Sequence, residues 1–413
     1  MKLQTLQIIR KTLILAFFSS SANAYAYDLF KDGIYYKLNR ADSTAIVTSK
    51  SFNGESNSYS GDVTIPEKFS DGDDSCCTRI DGKVPFVTYT VIGIDEYAFG
   101  GSINLTSVNI PSTVKSIGSY AFQSCFNLKS VNLHPTLEYI GDEPFITSYN
   151  LTFSDSLDLR NLKHLGLHAL SGHPEIKHIR MDSIQTLGIE ALFNTGISDI
   201  YLPASLETIG YNAFGDCKDL KKVVFSSETK IAEVDYFSGC TSLEEITLPQ
   251  TITNIGIGAF SNTALKEIII PDNVTTISYG AFKGCSNLKT ITIGRSVKYI
   301  DEAAFHYCSN ITDIYVLSNI PPVCYTDAGY YSVFATYSSY VHPPRHCVDA
   351  YKTALTWANF QYLDDGNNID YLSHKNTTRT ETYDTYGRPY DVQRKGLNII
   401  KLSNGMVKKE FIR

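Results

Sequence analysis

SIGSYAFQSCFNLKSVNL, residues 116–133, holds the pattern on which the whole chain is built. Its Ala-Phe dipeptide, anchored at Phe122, returns at near-constant spacing. The anchors are Phe99, Phe122, Phe145, Leu170, Leu192, Phe214, Phe237, Phe260, Phe282 and Phe305, separated by 23, 23, 25, 22, 22, 23, 23, 22 and 23 residues. A repeat this regular predicts a solenoid in which each unit buries its apolar edge only against its neighbours.

The columns around the anchor give the unit its shape. Five residues before it stands Ile or Leu, as in Ile94, Ile117, Ile140, Leu165, Leu187, Ile209, Ile255, Ile277 and Ile300. Four before it stands Gly118, Gly141, Gly166, Gly188, Gly210 or Gly256, replaced by Asp95, Ser278 and Asp301, all residue types that can start a helical turn. Alanine precedes most anchors, small enough to let such a turn lie close to the core. After the anchor comes Leu-x-x-Val/Ile-x-Leu/Ile, for example Leu288, Ile291 and Ile293, with the alternation of a strand. Pro111, Pro135, Pro203, Pro249 and Pro271 follow these strands. The predicted fold is an α/β repeat solenoid of about ten turns of 22–25 residues. It has a parallel β-sheet on one face, short helical or 3-10 turns on the other and a β-rich N-terminal cap. At roughly 4.8 Å per strand the sheet extends on the order of 45 Å. Two units depart from the pattern: residues 150–161 carry an insertion, and Glu233 and Tyr236 stand where Gly and Ala are usual before Phe237.

Residues 1–26 read as a signal peptide: Lys2, Arg10 and Lys11 precede an apolar run over residues 13–18, then two Ala-x-Ala sites at Ala22–Ala24 and Ala24–Ala26. No cysteine lies at the cleavage region, and no other stretch has the length of a membrane span. Of 36 basic and 43 acidic residues, three basic ones lie in this segment, so the remainder carries 33 − 43 = −10, a balance that disfavours nucleic acid and anionic membranes.

The unit I-G-x-x-A-F-x-x-C-x-x-L-x-x-V-x-I-P resembles the BspA-like branch of the leucine-rich repeat family over about residues 90–316. DGIYY (32–36) and SGDVTIP (60–66) resemble the strand-rich N-terminal cap of these proteins, placed at 27–89. PPVC (321–324), Tyr340, Val341, Ala350, Tyr351, Trp357 and Phe360 resemble their C-terminal cap, placed at 317–363. Residues 364–380 read as a polar linker. The tail at 381–413, with Tyr383, Asp384, Gly387, Arg388, KGLNII (395–400), Lys408, Lys409, Phe411 and Ile412, resembles a short type IX secretion sorting domain. The resemblance implies an exported cell-surface or extracellular interaction protein, adhesin-like, that takes a protein ligand such as a host matrix protein or one on a neighbouring cell. A glycan-binding surface protein using the many tyrosines is the alternative, and an enzyme of unrecognised type the third reading.

Cys125, Cys217, Cys240, Cys285 and Cys308 share one column, three after the anchor, where Ser102, Ser148, Thr195 and Thr263 stand in other units. That exchange reads as a small buried filler rather than a reactive thiol. Bridges between neighbouring turns are secondary to that reading. Cys324 and Cys347, both in the C-terminal cap of a chain read as exported, are the expected disulfide, closing a loop of about 22 residues at a gain of about 3 kcal/mol.

His164, His168, His173 and His178 fall in four different columns and read as solvated or capping side chains rather than a metal site. His342, His346 and Cys347 look zinc-like, but Pro343 and Pro344 block the helix that would align them. Asp71, Asp73 and Asp74 lack the spaced ligands of a calcium loop. No Gly-x-Ser-x-Gly, phosphate loop or His-Glu-x-x-His is present. No catalytic residue and no cofactor is expected.

The outward row of the sheet reads Asn109, Asn132, Asp158, Arg180, Tyr201, Val224, Thr247, Ile269, Thr292 and Tyr315. Its centre, Arg180, Tyr201, Val224, Thr247, Ile269 and Thr292, is apolar for an exposed row and is rimmed by Lys221, Lys222, Glu244, Glu245, Lys266 and Glu267. This is the expected protein-binding patch. The competing reading is that strand propensity alone selected these residues.

Overall fold

The structure is a computed structural model. It describes residues 27–50, 59–72, 86–325 and 332–363, together with tail strands within 381–412. The signal-like segment 1–26, the pair Cys76 and Cys77, and the linker 364–380 lie outside the described residues.

The repeat builds a solenoid with three ladders running along its axis. On one face, the Val/Ile-x-Ile segments pair in parallel, as in Glu267–Ile269, Thr290–Ile293, Asp313–Val316, Tyr340–His342 and Tyr362–Leu363. On the second face, the residue pair ending five before the anchor forms a two-residue parallel strand. Ser116–Ile117, Tyr139–Ile140, His164–Leu165, Thr186–Leu187 and Thr208–Ile209 stack in register. The third ladder joins the anchor segments. Phe99 N–H donates to the Ala121 carbonyl (2.8 Å) and Gly101 N–H to the Gln123 carbonyl (2.8 Å), so alternate amides bond to the next coil.

The anchor segment was expected to be a short helical or 3-10 turn, and it is not a helix. Among the described residues, helix occurs only at Arg345–Cys347, Val348–Thr353 and Trp357–Asn359, all in the C-terminal cap. Apart from that of Phe237, the anchor segments are instead runs of turns closed by bonds to the carbonyl three residues back, such as Gly100 N–H to Tyr97 (3.0 Å) and Ser102 N–H to Phe99 (3.1 Å). Left-handed residues two before and two after the anchor interrupt any helix. Tyr120 (φ 57°) and Ser124 (φ 55°) flank Phe122, and Gly280 (φ 61°) and Gly284 (φ 78°) flank Phe282. The left-handed residues and the anchor between them donate to the next coil, as Tyr97 N–H does to Ser119 (3.2 Å), while the amides that follow the left-handed residues close turns within their own coil, as Ala98 N–H does to Asp95 (3.3 Å).

The glycine column has a different cause from the helix start expected of it. A Cβ on Gly188 would stand 2.4 Å from the backbone of Gly166, and one on Gly210 2.3 Å from the backbone nitrogen of Ile189. Glycine is present because coils touch backbone to backbone at that corner.

The interior is a single apolar column. Anchor rings stack along it, Phe99 on Phe122 at 5.0 Å and Phe260, Phe282 and Phe305 at 5.3 and 5.2 Å. Tyr59 closes one end against Phe99 (4.6 Å), its hydroxyl donating to the Thr48 carbonyl (3.1 Å) and accepting from Tyr35 N–H (3.1 Å). At the other end the parallel register runs past residue 316. Phe334 stacks on Phe305 (5.4 Å) as a further anchor, and Trp357 and Phe360 pack edge-on against it (5.7 and 5.2 Å). Trp357 Nε1 donates to the Pro322 carbonyl (2.8 Å) and the Tyr351 hydroxyl to the Ser318 carbonyl (2.8 Å), so the polar ends of buried rings are satisfied. The tail strands Glu381–Tyr383, Pro389–Tyr390, Gly396–Lys401 and Val407–Ile412 form an antiparallel sheet.

Candidate interaction surface

Strand alternation presents one row of side chains outward on the long face, and the pairing gives its register. In the C-terminal half Ile269 lies beside Thr292, Thr292 beside Tyr315, and Tyr315 beside His342. The intervening Ile268, Ile291, Ile314 and Val341 are all buried. Earlier along the face, Asp158 lies beside Arg180 and Tyr201 beside Val224. The expected patch is therefore divided among separate small sheets. Thr247 lies between them on residues 244–248, which form no strand.

Exposure along the row differs from the uniform outward face that alternation implies. Ile269 is 44% exposed, whereas Thr292, flanked by Ile269 and Tyr315 in the row, is only 3% exposed. Thr292 is thus a buried spacer rather than a contact residue. Arg180 is held by Asp182 through Nε at 2.7 Å, and Arg160 by Asp158 through Nε at 3.0 Å. These guanidiniums hold Asp158 below the usual carboxylate range. A shallow dish of about 240 Å³ lies here, between Ser156, Asp158, His178, Arg180 and Asp199.

The sequence reading did not extend the row past Tyr315. There the face becomes aromatic: His342 stacks on Tyr315 (4.5 Å, 16°) while its Nε2 meets Asp313 Oδ1 at 3.0 Å. Tyr340 stacks on Tyr362 at 4.7 Å, and these two rings are 50% and 46% exposed. The signal was present in Tyr340, His342 and Tyr362, but their spacing from the last repeat is irregular.

The four clustered histidines do not converge. His164 stacks on Tyr139 (4.7 Å), and His168 stands between Glu143 (3.3 Å) and Glu190 (3.0 Å). His173, in the cysteine column, meets Glu175 at 3.0 Å, and His178 faces Asp199 at 3.9 Å. They serve as pairing and stacking groups between coils. Among the described residues no three His, Cys, Asp or Glu side chains gather as a metal site would require.

The column cysteines are free thiols buried in the core, as their exchange with Ser and Thr implied. Each donates its S–H to the anchor carbonyl of the preceding coil: Cys125 to Phe99 (3.2 Å), Cys217 to Leu192 (3.2 Å), Cys240 to Phe214 (3.1 Å), Cys285 to Phe260 and Cys308 to Phe282 (both 3.0 Å). Burial pushes the Cys125 thiol up to about 12 and the Cys217 thiol up to about 11. The bridge expected between Cys324 and Cys347 is absent here, where both are free. Cys324 occupies the inward position of the second-face ladder beside Ile300, with its S–H directed at the Pro322 carbonyl (3.8 Å), while Cys347 precedes the cap helix.

The BspA type leucine rich repeat profile matches in six copies, over residues 92–221 and 207–326. The chain belongs to that family. No curated protein matches it. Similar solved structures include a leucine-rich repeat protein of Bacteroides ovatus, 22% identical over 82% of this chain and 80% of that one, with a TM-score of 0.48. A leucine rich cell surface protein of Faecalibacterium prausnitzii is 21% identical over 77% and 99%, with a TM-score of 0.35. The pneumococcal vaccine antigen PcpA is 18% identical over 83% and 100%, with a TM-score of 0.39. No helix among the described residues is long and apolar enough to cross a membrane.

Proposed function

We propose that this repeat protein is exported and acts at the cell surface or outside the cell, binding a protein ligand through the outward face of its long sheet. The observation that carries the reading is the outward row itself. Apolar and aromatic side chains, Tyr201 and Val224 in one register and Ile269 and Tyr315 in another, lie on a face whose strands are held from beneath by a continuous core. Ile269, Tyr340 and Tyr362 are the large exposed groups on it, with Glu244 and Lys266 forming an ion pair at the rim. An exposed apolar centre with a charged rim suits a protein partner. Export rests on the character of residues 1–26.

The test is a pull-down of the processed protein against host matrix proteins, repeated with Tyr201, Val224 and Ile269 all changed to Glu. Loss of about 2 kcal/mol or more of binding free energy, with an unchanged thermal melt, is the expected result. Survival of every detected interaction in the triple variant would remove the face from consideration.

A further inference from the structure

The coil containing Phe237 interrupts the solenoid on two of its three ladders at once. On the second face the ladder that ends at Thr208–Ile209 does not pair with Glu233–Val234, which begins a separate sheet. On the long face the ladder ends at Lys222–Phe225, and residues 244–248 of the next coil form no strand. The anchor ladder alone continues: Phe214 N–H donates to the Tyr236 carbonyl (3.1 Å) and Asp216 N–H to the Ser238 carbonyl (2.8 Å). Phe214 also stacks on Phe237 (5.5 Å), and Cys240 donates its S–H to the Phe214 carbonyl (3.1 Å).

The cause is a register slip inside a coil of ordinary length. Residues 226–248 and 271–293 align without a gap, Phe237 on Phe282 and Cys240 on Cys285. In the regular coil the buried pair Val274 and Ile277 ends five residues before its anchor. In the slipped coil the equivalent buried pair, Ile231 and Val234, ends three before. The slip deletes the Gly-x-x-Ala turn, and Asp235 lacks the left-handed backbone found two before the anchor in the other coils. It also moves the short strand out of line with its predecessor. The polar groups at the junction reflect the misfit: Asn212 Oδ1 is buried without a partner, and Asp235 is half-buried.

We propose that this coil is a hinge. The two halves of the solenoid pivot about the anchor edge, where bonds and stacked rings persist, and open or close along the two faces where the strand ladder is interrupted. Each coil of a solenoid touches only its neighbours, so motion concentrates at the weakest interface. The pivot changes the curvature of the long face between Val224 and Ile269 and so tunes how the face meets a curved partner. The hinge itself stands whether or not that face binds protein.

The test uses the full chain and a variant in which residues 226–248 are replaced by a second copy of residues 271–293. Amide exchange in the native protein is expected to be about tenfold faster over 244–248 than over the aligned residues 289–293, and the copy should remove the difference. Spin labels on ketone-bearing residues at Glu207 and Thr275, exposed positions on either side of the junction, should show a distance distribution that narrows to about half its native width in the variant. Equal exchange of the two segments in the native protein overturns the hinge even if the variant fails to fold. So does a native distance distribution already as narrow as that of the variant.

Discussion

Cys125 shows how one residue type is selected at a buried column position. Its S–H reaches the Phe99 carbonyl across the coil boundary, and Ser148 makes the same bond with its hydroxyl to the Phe122 carbonyl at 2.6 Å. Alanine at residue 125 removes both packing and the donor, so Cys125→Ala should cost about 1 kcal/mol or somewhat more in thermal or denaturant unfolding. Cys125→Ser should cost less. With its thiol pushed up to about 12 by burial, Cys125 should resist thiol reagents at neutral pH until the chain unfolds. Gly188 is constrained more sharply, since a Cβ there meets Gly166 at 2.4 Å. Gly188→Ala should destabilise by about 1–3 kcal/mol because two backbones must separate. Column exchange in the sequence was enough to identify a small buried residue at Cys125. The hydrogen bond was not legible, because its acceptor lies 26 residues away on another coil.

Among the elements, the slipped coil holds the half-buried Asp235, whose carboxyl is pushed up to about 6 by burial and by the neighbouring Glu233. Across the window from the ordinary aspartate range near 4 up to about 6, the folded chain binds this proton more tightly than the unfolded chain does. Asp235 therefore subtracts stability as pH rises through that window. Asp235→Asn should raise the melting temperature at pH 7 and leave it nearly unchanged at pH 4. An unchanged difference between native and variant melts across pH 4–7 would show that Asp235 titrates as it does when unfolded. The anomaly at Glu233 and Tyr236 was visible as a break in the repeat. Its consequence for pairing depended on where the neighbouring strands lay.

For the whole molecule, a continuous core with a cap at each end makes terminal coils the first to open. Trp357 fills the C-terminal cap beneath Phe334 and donates to the Pro322 carbonyl. Trp357→Ala should cost about 3–5 kcal/mol and raise amide exchange first in Tyr340–His342 and Asp313–Val316, while Ser116–Ile117 stays protected. Uniform loss of protection along the solenoid would contradict this order. The repeat period, the apolar columns and the outward row are local patterns that recur ten times, so the sequence by itself determined the solenoid, the buried cysteines and the outward position of Tyr201, Val224 and Ile269. Only the tertiary structure decided that left-handed turns replace helix, that glycine marks backbone contact, that Thr292 is covered, and that two ladders break at one coil. Each of those depends on what the adjacent coil presents at a distance of a few ångströms, and sequence spacing carries no record of that.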